Sequence, residues 1–301
     1  MKLNTVAILS PGDMGHGVGH VLVGNGLRVI TCLRERSERT RSLAKQVGIE
    51  DVSTYERLVK EADLILSILV PAKAVEAAQE VAQAIQKTQA QPVYADCNAI
   101  APQTAREIDE IIRNAGGIFV DAGIIGSSPK RDRSTRIYAS GHHAPELENL
   151  TRFGLNIIVL GDQIGQASMI KMCNAALTKG LTALSTELLI AAEAGNILPA
   201  LENEFKQNKL EFYNYMQRRL PRMTMNSRRY VGEMEEIAKT FEEIGLTPRI
   251  FLGAADIYQF VGNTVLAERV PEDPQPLPAF TEVIKILSES LAALPEIKAR
   301  T

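Results

Sequence analysis

Lys171 and Asn174 stand three residues apart in "IGQASMIKMCNAAL", a spacing that puts both side chains on one face of a helix. Thr178 continues that face, and Met169, Ile170, Met172, Cys173 and Leu177 surround it with apolar groups. A lysine and an amide in such a setting can exchange a proton with a substrate oxygen and orient it. A solvated stripe with a snorkelling lysine has the same pattern. A second stretch lies near the N-terminus, where "VAILSPGDMGHGVGHVL" (Val6 to Leu22) joins an apolar run, a glycine-bearing turn and a helical pattern. Gly12 and Gly15 keep two places of the G-x-G-x-x-G dinucleotide fingerprint, and Ser10 occupies the first. Without a Cβ, Gly12 lets the backbone approach a pyrophosphate, which the N-terminal amides of the next helix can bind. Gly15 permits close helix–strand packing, and Gly17 and Gly19 extend the smooth face. Ser10 suits a turn that needs compactness but not a positive φ. The bland alternative is a tight turn in an unrelated α/β protein.

Cofactor choice is read where "RVITC" runs into "LRERSERTR". Leu33 leaves no carboxylate at the strand tip for a ribose 2′-hydroxyl, whereas Arg34 can fork onto a 2′-phosphate. Glu35 pulls the other way, and with Glu38 it can pair the local arginines. NADP(H) is therefore the expected cofactor, with NAD(H) as the alternative.

These residues need a scaffold, and the apolar patterning supplies one. Strand-like runs at Val6–Leu9, Arg28–Cys32, Leu64–Val70, Pro92–Ala95 and Ile118–Val120 alternate with helical patterns near His16–Val23, Glu38–Val47, Lys73–Lys87 and Pro102–Asn114. Ser53 with Glu56 reads as the capping box of a further short helix. Such alternation predicts βαβ units and a parallel, doubly wound sheet of Rossmann type. Two more strand-like runs, Arg136–Ala139 and Asn156–Leu160, flank a short helix and close this half. After Gly161 the texture becomes helical: Gln163–Ala194, Leu198–Arg218, Ser227–Ile244, Arg249–Gly262 and Phe280–Leu291, with a polar, arginine-bearing connection from Gln207 to Arg229. The expected organisation is an α/β dinucleotide-binding domain over residues 1–161 and an all-α domain for substrate and dimerisation over 162–301.

Composition narrows the class. Across 301 residues, 33 Lys and Arg oppose 36 Asp and Glu, a net charge of −3, so no polycation points to nucleic acid. Cys32, Cys97 and Cys173 form no C-x-x-C pair and fit a reducing compartment. The apolar start is too short for a secretory signal, and no run approaches the roughly 18 apolar residues of a membrane helix. A soluble cytoplasmic protein is expected. His16, His20, His142 and His143 make no metal-ligand spacing, and Ser127 and Ser128 lack a G-x-S-x-G elbow.

Taken in order, the motifs resemble the 3-hydroxyacid dehydrogenase family, which shares its fold with 6-phosphogluconate dehydrogenase. The nearest likeness is its branch of uncharacterised NAD(P)-dependent oxidoreductases with a distinct helical C-terminal domain. "SPGDMG" resembles the cofactor loop, which implies cofactor-binding roles for Ser10, Gly12, Asp13, Met14 and Gly15. "ILVPAKAV" resembles the segment passing the nicotinamide, with Val70 and Pro71, and "ADCNAIAPQTAREI" the segment that places a small polar residue there, here Asn98. "FVDAGIIGSSP" resembles the substrate loop and implies contacts from Gly123, Ile124, Ile125 and Gly126, with Asn98 on the opposite wall. Asp121, Ala122 and Gly126 match that motif, whereas Gly123 and Ile125 replace its usual proline and serine. Lys130, Arg131, Arg133 and Arg136 downstream could hold a carboxylate or phosphate, or simply be solvated. "IGQASMIKMCNAAL" resembles the catalytic-helix motif G-x-x-x-x-x-K-x-x-N.

The resemblance implies that Lys171 exchanges the hydroxyl proton while hydride passes to or from the nicotinamide, and that Asn174 orients the substrate oxygen. A positive nicotinamide and an apolar cleft would both favour a neutral lysine. The small-molecule substrate expected is a hydroxy acid, probed against two alternatives: an imine or semialdehyde reductase, and an NADP(H)-binding protein without turnover. A homodimer is also implied, with Arg228 and Arg229 as residues that could reach a neighbouring subunit's substrate.

Overall fold

The computed structural model describes residues 3–130, 134–270 and 273–291. The first strand, β1 (Thr5–Ile8), leads through the glycine loop into α1 (Asp13–Gly24). There follow β2 (Arg28–Thr31), α2 (Glu38–Gln46), β3 (Glu50–Asp51), α3 (Tyr55–Glu61), β4 (Leu64–Ser67), α4 (Ala74–Thr88), β5 (Val93–Asp96) and α5 (Pro102–Asn114). The sheet is completed by β6 (Ile118–Ile125), β7 (Arg136–Ser140) and β8 (Asn156–Gly161). Its order is β3-β2-β1-β4-β5-β6-β7-β8, parallel except where β6 meets β7. This is the doubly wound arrangement expected, with an antiparallel edge extension.

Alternation along the strands explains the two layers. Val6, Ile8, Leu64 and Leu66 face one side and pack with Val18 and Leu22 of α1. Ala7, Leu9 and Ile65 face the other, where they meet Val81 and Ile85 of α4 and Ile108 of α5. Each large aliphatic side chain buried this way contributes about 1.5–3 kcal/mol. Burial on both faces is why these strands read as unbroken apolar runs rather than as alternating ones.

Several local readings change. The helix α3 is capped by Thr54, whose side chain accepts from Arg57 N at 3.2 Å; Ser53 has φ +66° and takes the turn before the cap. The two-residue β3, too short to show a period, was not foreseen. Ile118–Val120 extends to Ile125 because its second half pairs with β7, Ile125 lying opposite Arg136. The short helix before β8 is a 3₁₀ run, Ala144–Phe153.

The strands end at Gly161, and α6 (Gln166–Ala194) opens the helical part. The described residues divide into two compact units after Asn174, inside this helix. The first turns of α6 belong with the sheet because Asp121 and Ser140 hold their amides. The second unit continues with α7 (Leu198–Asn208), α8 (Leu210–Met223), α9 (Ser227–Glu243), α10 (Arg249–Gly262) and α11 (Phe280–Leu291). Leu198–Arg218 is thus two helices broken at Lys209, with φ −145°, and most of the supposed Gln207–Arg229 connection is α8. Leu189, Tyr213, Met216, Leu220, Phe280 and Ile284 form a core among α6, α7, α8 and α11. One property of α6 departs from the sequence reading: it is long and apolar enough to cross a membrane, with mean hydropathy 1.2 over its best window. Half of that window is buried inside the protein, as in a core helix.

Candidate active site

The chain leaves β1 and turns tightly, Gly12 N donating to Ser10 O at 2.8 Å. Gly12 then caps α1 with φ −74° and no side chain bonded over the helix start. A Cβ added to Gly12 would have no atom within 4 Å, so the space above the first turn is open. Gly15 has the opposite need: its Cβ would lie 2.3 Å from Ser10 O and 3.1 Å from Ile8 Cγ2. Gly17 abuts Ser128 and Gly19 abuts Ile49 in the same way. Neither Ser10 nor these glycines adopts a positive φ, so closeness rather than conformation selects them. Asp13 in the first turn is ion-paired with Arg39, and Met14 packs on the sheet core.

Arg34, beyond the tip of β2, is exposed, its Nε 3.9 Å from Glu35 Oε1. A cavity of about 190 Å³ opens here, lined among others by Arg34, Arg36, Tyr55, Leu69, Lys73 and Glu76. Burial pushes the Tyr55 hydroxyl up to about 12, against the nearby Arg36. Arg36 and Lys73 lie in the stretches "LRERSERTR" and "ILVPAKAV" with no role expected of them, and Tyr55 lies in neither; the three come together only through the crossovers. The sequence reading missed Asp51: this carboxylate reaches in from β3 and accepts from Leu33 N at 3.1 Å and Ser53 N at 3.0 Å.

Because β4 stops at Ser67, Val70 stands on the following loop, exposed, and Pro71 opens a 3₁₀ turn, Pro71–Lys73. Asn98 lies beneath them, 2 % exposed. Its Oδ1 accepts from Leu69 N at 2.5 Å, and its Nδ2 donates to Ser67 Oγ at 3.0 Å and Asp96 Oδ2 at 2.9 Å. Its amide is therefore spent on holding the Leu69–Pro71 segment.

On the other side, Gly123, Ile124 and Ile125 end β6 and Gly126 follows them. Ile124 and Ile125 are buried, so this segment offers backbone rather than side chains. A Cβ on Gly123 would meet Ala167 O at 2.8 Å and Lys171 Cβ at 3.0 Å, so glycine here lets α6 lie against β6. Gly126, at φ +128°, faces Thr135. The half-buried Lys171 donates through Nζ to Ile124 O, and Asn174 is exposed one turn on. The structure thus brings Lys171 onto the Gly123–Gly126 segment. Lys130, between β6 and β7, and Arg136, the first residue of β7, are exposed, while Arg131 and Arg133 lie outside the described residues.

Two carboxyls absent from the candidate residues lie under this region. Asp96 and Asp121 are fully buried and paired in register on β5 and β6. Asp121 accepts from Ser140 Oγ, Gly165 N, Ser168 N and Ser168 Oγ, the last at 2.6 Å, and so anchors the start of α6. Desolvation raises both carboxyls, Asp96 to about 7 from its ordinary 3.8. Folded Asp96 therefore keeps a proton that the unfolded chain releases above pH 4, and stability falls as pH rises from about 4 to 7. The expected slope is on the order of 1 kcal/mol per pH unit. Urea midpoints of wild type and Asp96→Asn across that window should show a flatter dependence in the variant; equal slopes would contradict the displaced carboxyl.

The second unit has its own polar cluster. Lys179 pairs with buried Glu233 and stands 4.9 Å from the Tyr230 ring centroid, while Tyr258 Oη donates to Lys179 O at 2.7 Å. Arg229 is tied to Glu233 at 3.5 Å and Arg228 to Glu268, so both arginines have partners within their own unit.

Comparison with known proteins agrees with this fold. A family model described as the NAD binding domain of 6-phosphogluconate dehydrogenase matches residues 5–153, and a domain of unknown function matches 192–261. An uncharacterized 28.5 kDa protein of Methanothermus fervidus is 31% identical over 74% of this chain and 85% of its own length. The 3-hydroxyisobutyrate dehydrogenase of Pseudomonas aeruginosa is 26% identical over 67% and 68%, respectively. A solved protein of unknown function, described as structurally similar to 3-hydroxyacid dehydrogenases, is 29% identical with a TM-score of 0.65, covering 86% of this chain and 97% of its own.

Proposed function

This chain belongs to the 3-hydroxyacid dehydrogenase and 6-phosphogluconate dehydrogenase-like family of NAD(P)-dependent oxidoreductases, and on that premise we propose that it transfers hydride between NADP(H) and a small anionic hydroxy acid or the matching carbonyl compound. The observation that carries the reading is Lys171, borne on a helix anchored to the sheet and turned onto the backbone of Gly123–Gly126.

The residues present fit a dinucleotide. The open space over Gly12 at an uncapped helix start is a cradle for pyrophosphate. Arg34 would hold the 2′-phosphate, and Val70 and Pro71 would border the nicotinamide. The nicotinamide, when bound, supplies or accepts the hydride. Lys171 takes the hydroxyl proton in oxidation and returns one to the forming alkoxide in reduction. Asn174 orients the same oxygen, while the backbone of Gly123–Gly126 fixes the rest of the substrate; holding the carbon over the ring is part of the rate. Arg136, exposed on β7 opposite Ile125, puts a cation next to the Gly123–Gly126 segment, which supports a substrate that carries negative charge.

The experiment is thermal: NADPH raises the melting temperature more than NADH at equal concentration, and Arg34→Ala removes the difference. Equal shifts in the wild type would favour the second reading, NAD(H), for which Asp51 and Glu35 beside β2 are the supporting observation. NADPH oxidation across aldehydes, ketones and imines then separates hydroxy-acid chemistry from imine or semialdehyde reduction and from binding without turnover.

We also propose that the chain pairs with a second copy. Leu177 and Leu184 lie on one face of α6 and are 62% and 54% exposed, more apolar surface than a lone helix usually shows. Light scattering should give twice the 32.9 kDa chain mass; a monomer at micromolar concentration would refute the pairing.

A further inference from the structure

Ser67, Asp96, Asp121 and Ser140 occupy one register row across β4, β5, β6 and β7. All four are completely buried. At one end of the row Asn98 joins Ser67 and Asp96 to Leu69 N, next to Val70 and Pro71. At the other end Ser140 Oγ accepts from Ala167 N at 3.0 Å and donates to Asp121. Asp121 in turn receives Gly165 N and Ser168 N at the start of α6, one turn before Lys171. Three strand spacings, about 14 Å, separate the two ends.

We infer that this row is a single positioning device: it sets the start of α6, and with it Lys171, against the Leu69–Pro71 segment, and a hydrogen bond lost at one end is felt at the other. The inference rests on the reading that these two segments flank the hydride transfer. It does not follow from hydrogen bonds alone, because each carboxylate is bonded only toward its own end. What joins the halves is charge. Asp96 and Asp121 are neighbours on rigidly paired strands with no water-exposed surface, so each ionised carboxylate opposes the other. The partners given for the pair are neutral donors and not cations: Asp96 has Ser67 on β4 and Asn98 just past the end of β5, and Asp121 has Ser140, Ser168 and the Gly165 and Ser168 backbone N–H groups. Tyr94 and Cys97, the other titratable groups beside the pair, are buried and pushed up, hence neutral. Taking a donor from one carboxylate makes it the better holder of a proton and leaves the other freer to ionise. The hydrogen bonds on both sides then rearrange together. Asp96 and Asp121 act through Leu69 and Lys171, as positioning residues.

Two mild variants approach the row from opposite ends. Ser140→Ala removes a donor to Asp121, and Ser67→Ala removes a partner of Asn98. Amide hydrogen exchange is followed in residues 66–72 and 163–171 of the whole protein, and NADPH affinity is measured by titration. The expected result is about tenfold faster exchange in both windows for either variant, and NADPH binding weakened about threefold by Ser140→Ala, although Ser140 belongs to the α6 end. Faster exchange confined to the window nearest each substitution, with unchanged NADPH affinity for Ser140→Ala, would overturn the inference and leave two independent local anchors. If one variant does not fold, the other still reads its distant window. If the wild type binds no NADPH, the functional reading fails, while the paired exchange windows still decide on the device.

Discussion

Lys171→Ala lowers turnover by about 10²-fold or more, the scale for losing general acid–base catalysis, with NADPH affinity within twofold of wild type. Oxidation at neutral pH needs an acceptor for the hydroxyl proton, and reduction needs a donor. Lys171 is the titratable side chain that α6 brings onto the Gly123–Gly126 backbone. Lys171→Arg should fail as well, because a guanidinium stays protonated and its fork does not fit where an ammonium donates to one carbonyl. Steady-state kinetics with any substrate from the panel, beside NADPH titration and melting curves, checks this. Near-wild-type rates in Lys171→Ala would remove the acid–base role and favour binding without turnover. Loss of folding or of NADPH binding would make Lys171 a structural anchor of β6.

Two glycines of the cofactor loop should respond differently to the same added methyl group. Gly15→Ala places Cβ 2.3 Å from Ser10 O, a backbone atom that cannot rotate away, so α1 must shift from β1. Overpacking of this kind costs about 1–3 kcal/mol, and the loop that closes on the pyrophosphate is displaced with it. The melting temperature should fall by several degrees and NADPH affinity by more than tenfold. Gly12→Ala meets nothing within 4 Å, so folding is unchanged while the methyl group fills the space for the pyrophosphate, and affinity drops by a similar factor. Differential scanning fluorimetry with NADPH titration separates the two. Wild-type affinity in Gly12→Ala would place the dinucleotide elsewhere.

The doubly wound sheet could be read from the sequence because strands buried on both faces leave apolar runs at regular intervals, and the glycine loop because its position between β1 and α1 is local. Lys171 and Asn174 were visible for the same reason, their spacing being a property of one helix. What was hidden depends on pairing. The two residues of β3 have no period, and the extension of β6 to Ile125 exists only because β7 runs alongside it. Asp51 reaches Leu33 N, and Asp121 reaches Ser168, across 18 and 47 residues of chain, so no window along the sequence contains them. Thr54 displaced Ser53 as the cap because the chain needs φ +66° at Ser53 to enter α3, a conformation incompatible with capping. The break at Lys209 between α7 and α8 carries no Gly or Pro to announce it.

Helix α1, "DMGHGVGHVLVG", has four glycines in twelve residues. Each costs roughly 1 kcal/mol of helix propensity relative to alanine, so this segment would be a coil on its own. Its order is borrowed from Ile8, Ser128 and Ile49, which close on Gly15, Gly17 and Gly19. The element with the least conformational autonomy in the first unit is thus the one proposed to present its amides to the cofactor. Local opening of α1 should be among the cheapest excursions of the folded protein, and a dinucleotide gripping its first turn would suppress that opening before any other. In the cell, cofactor supply would then govern not only how fast the protein works but how long it resists proteolysis.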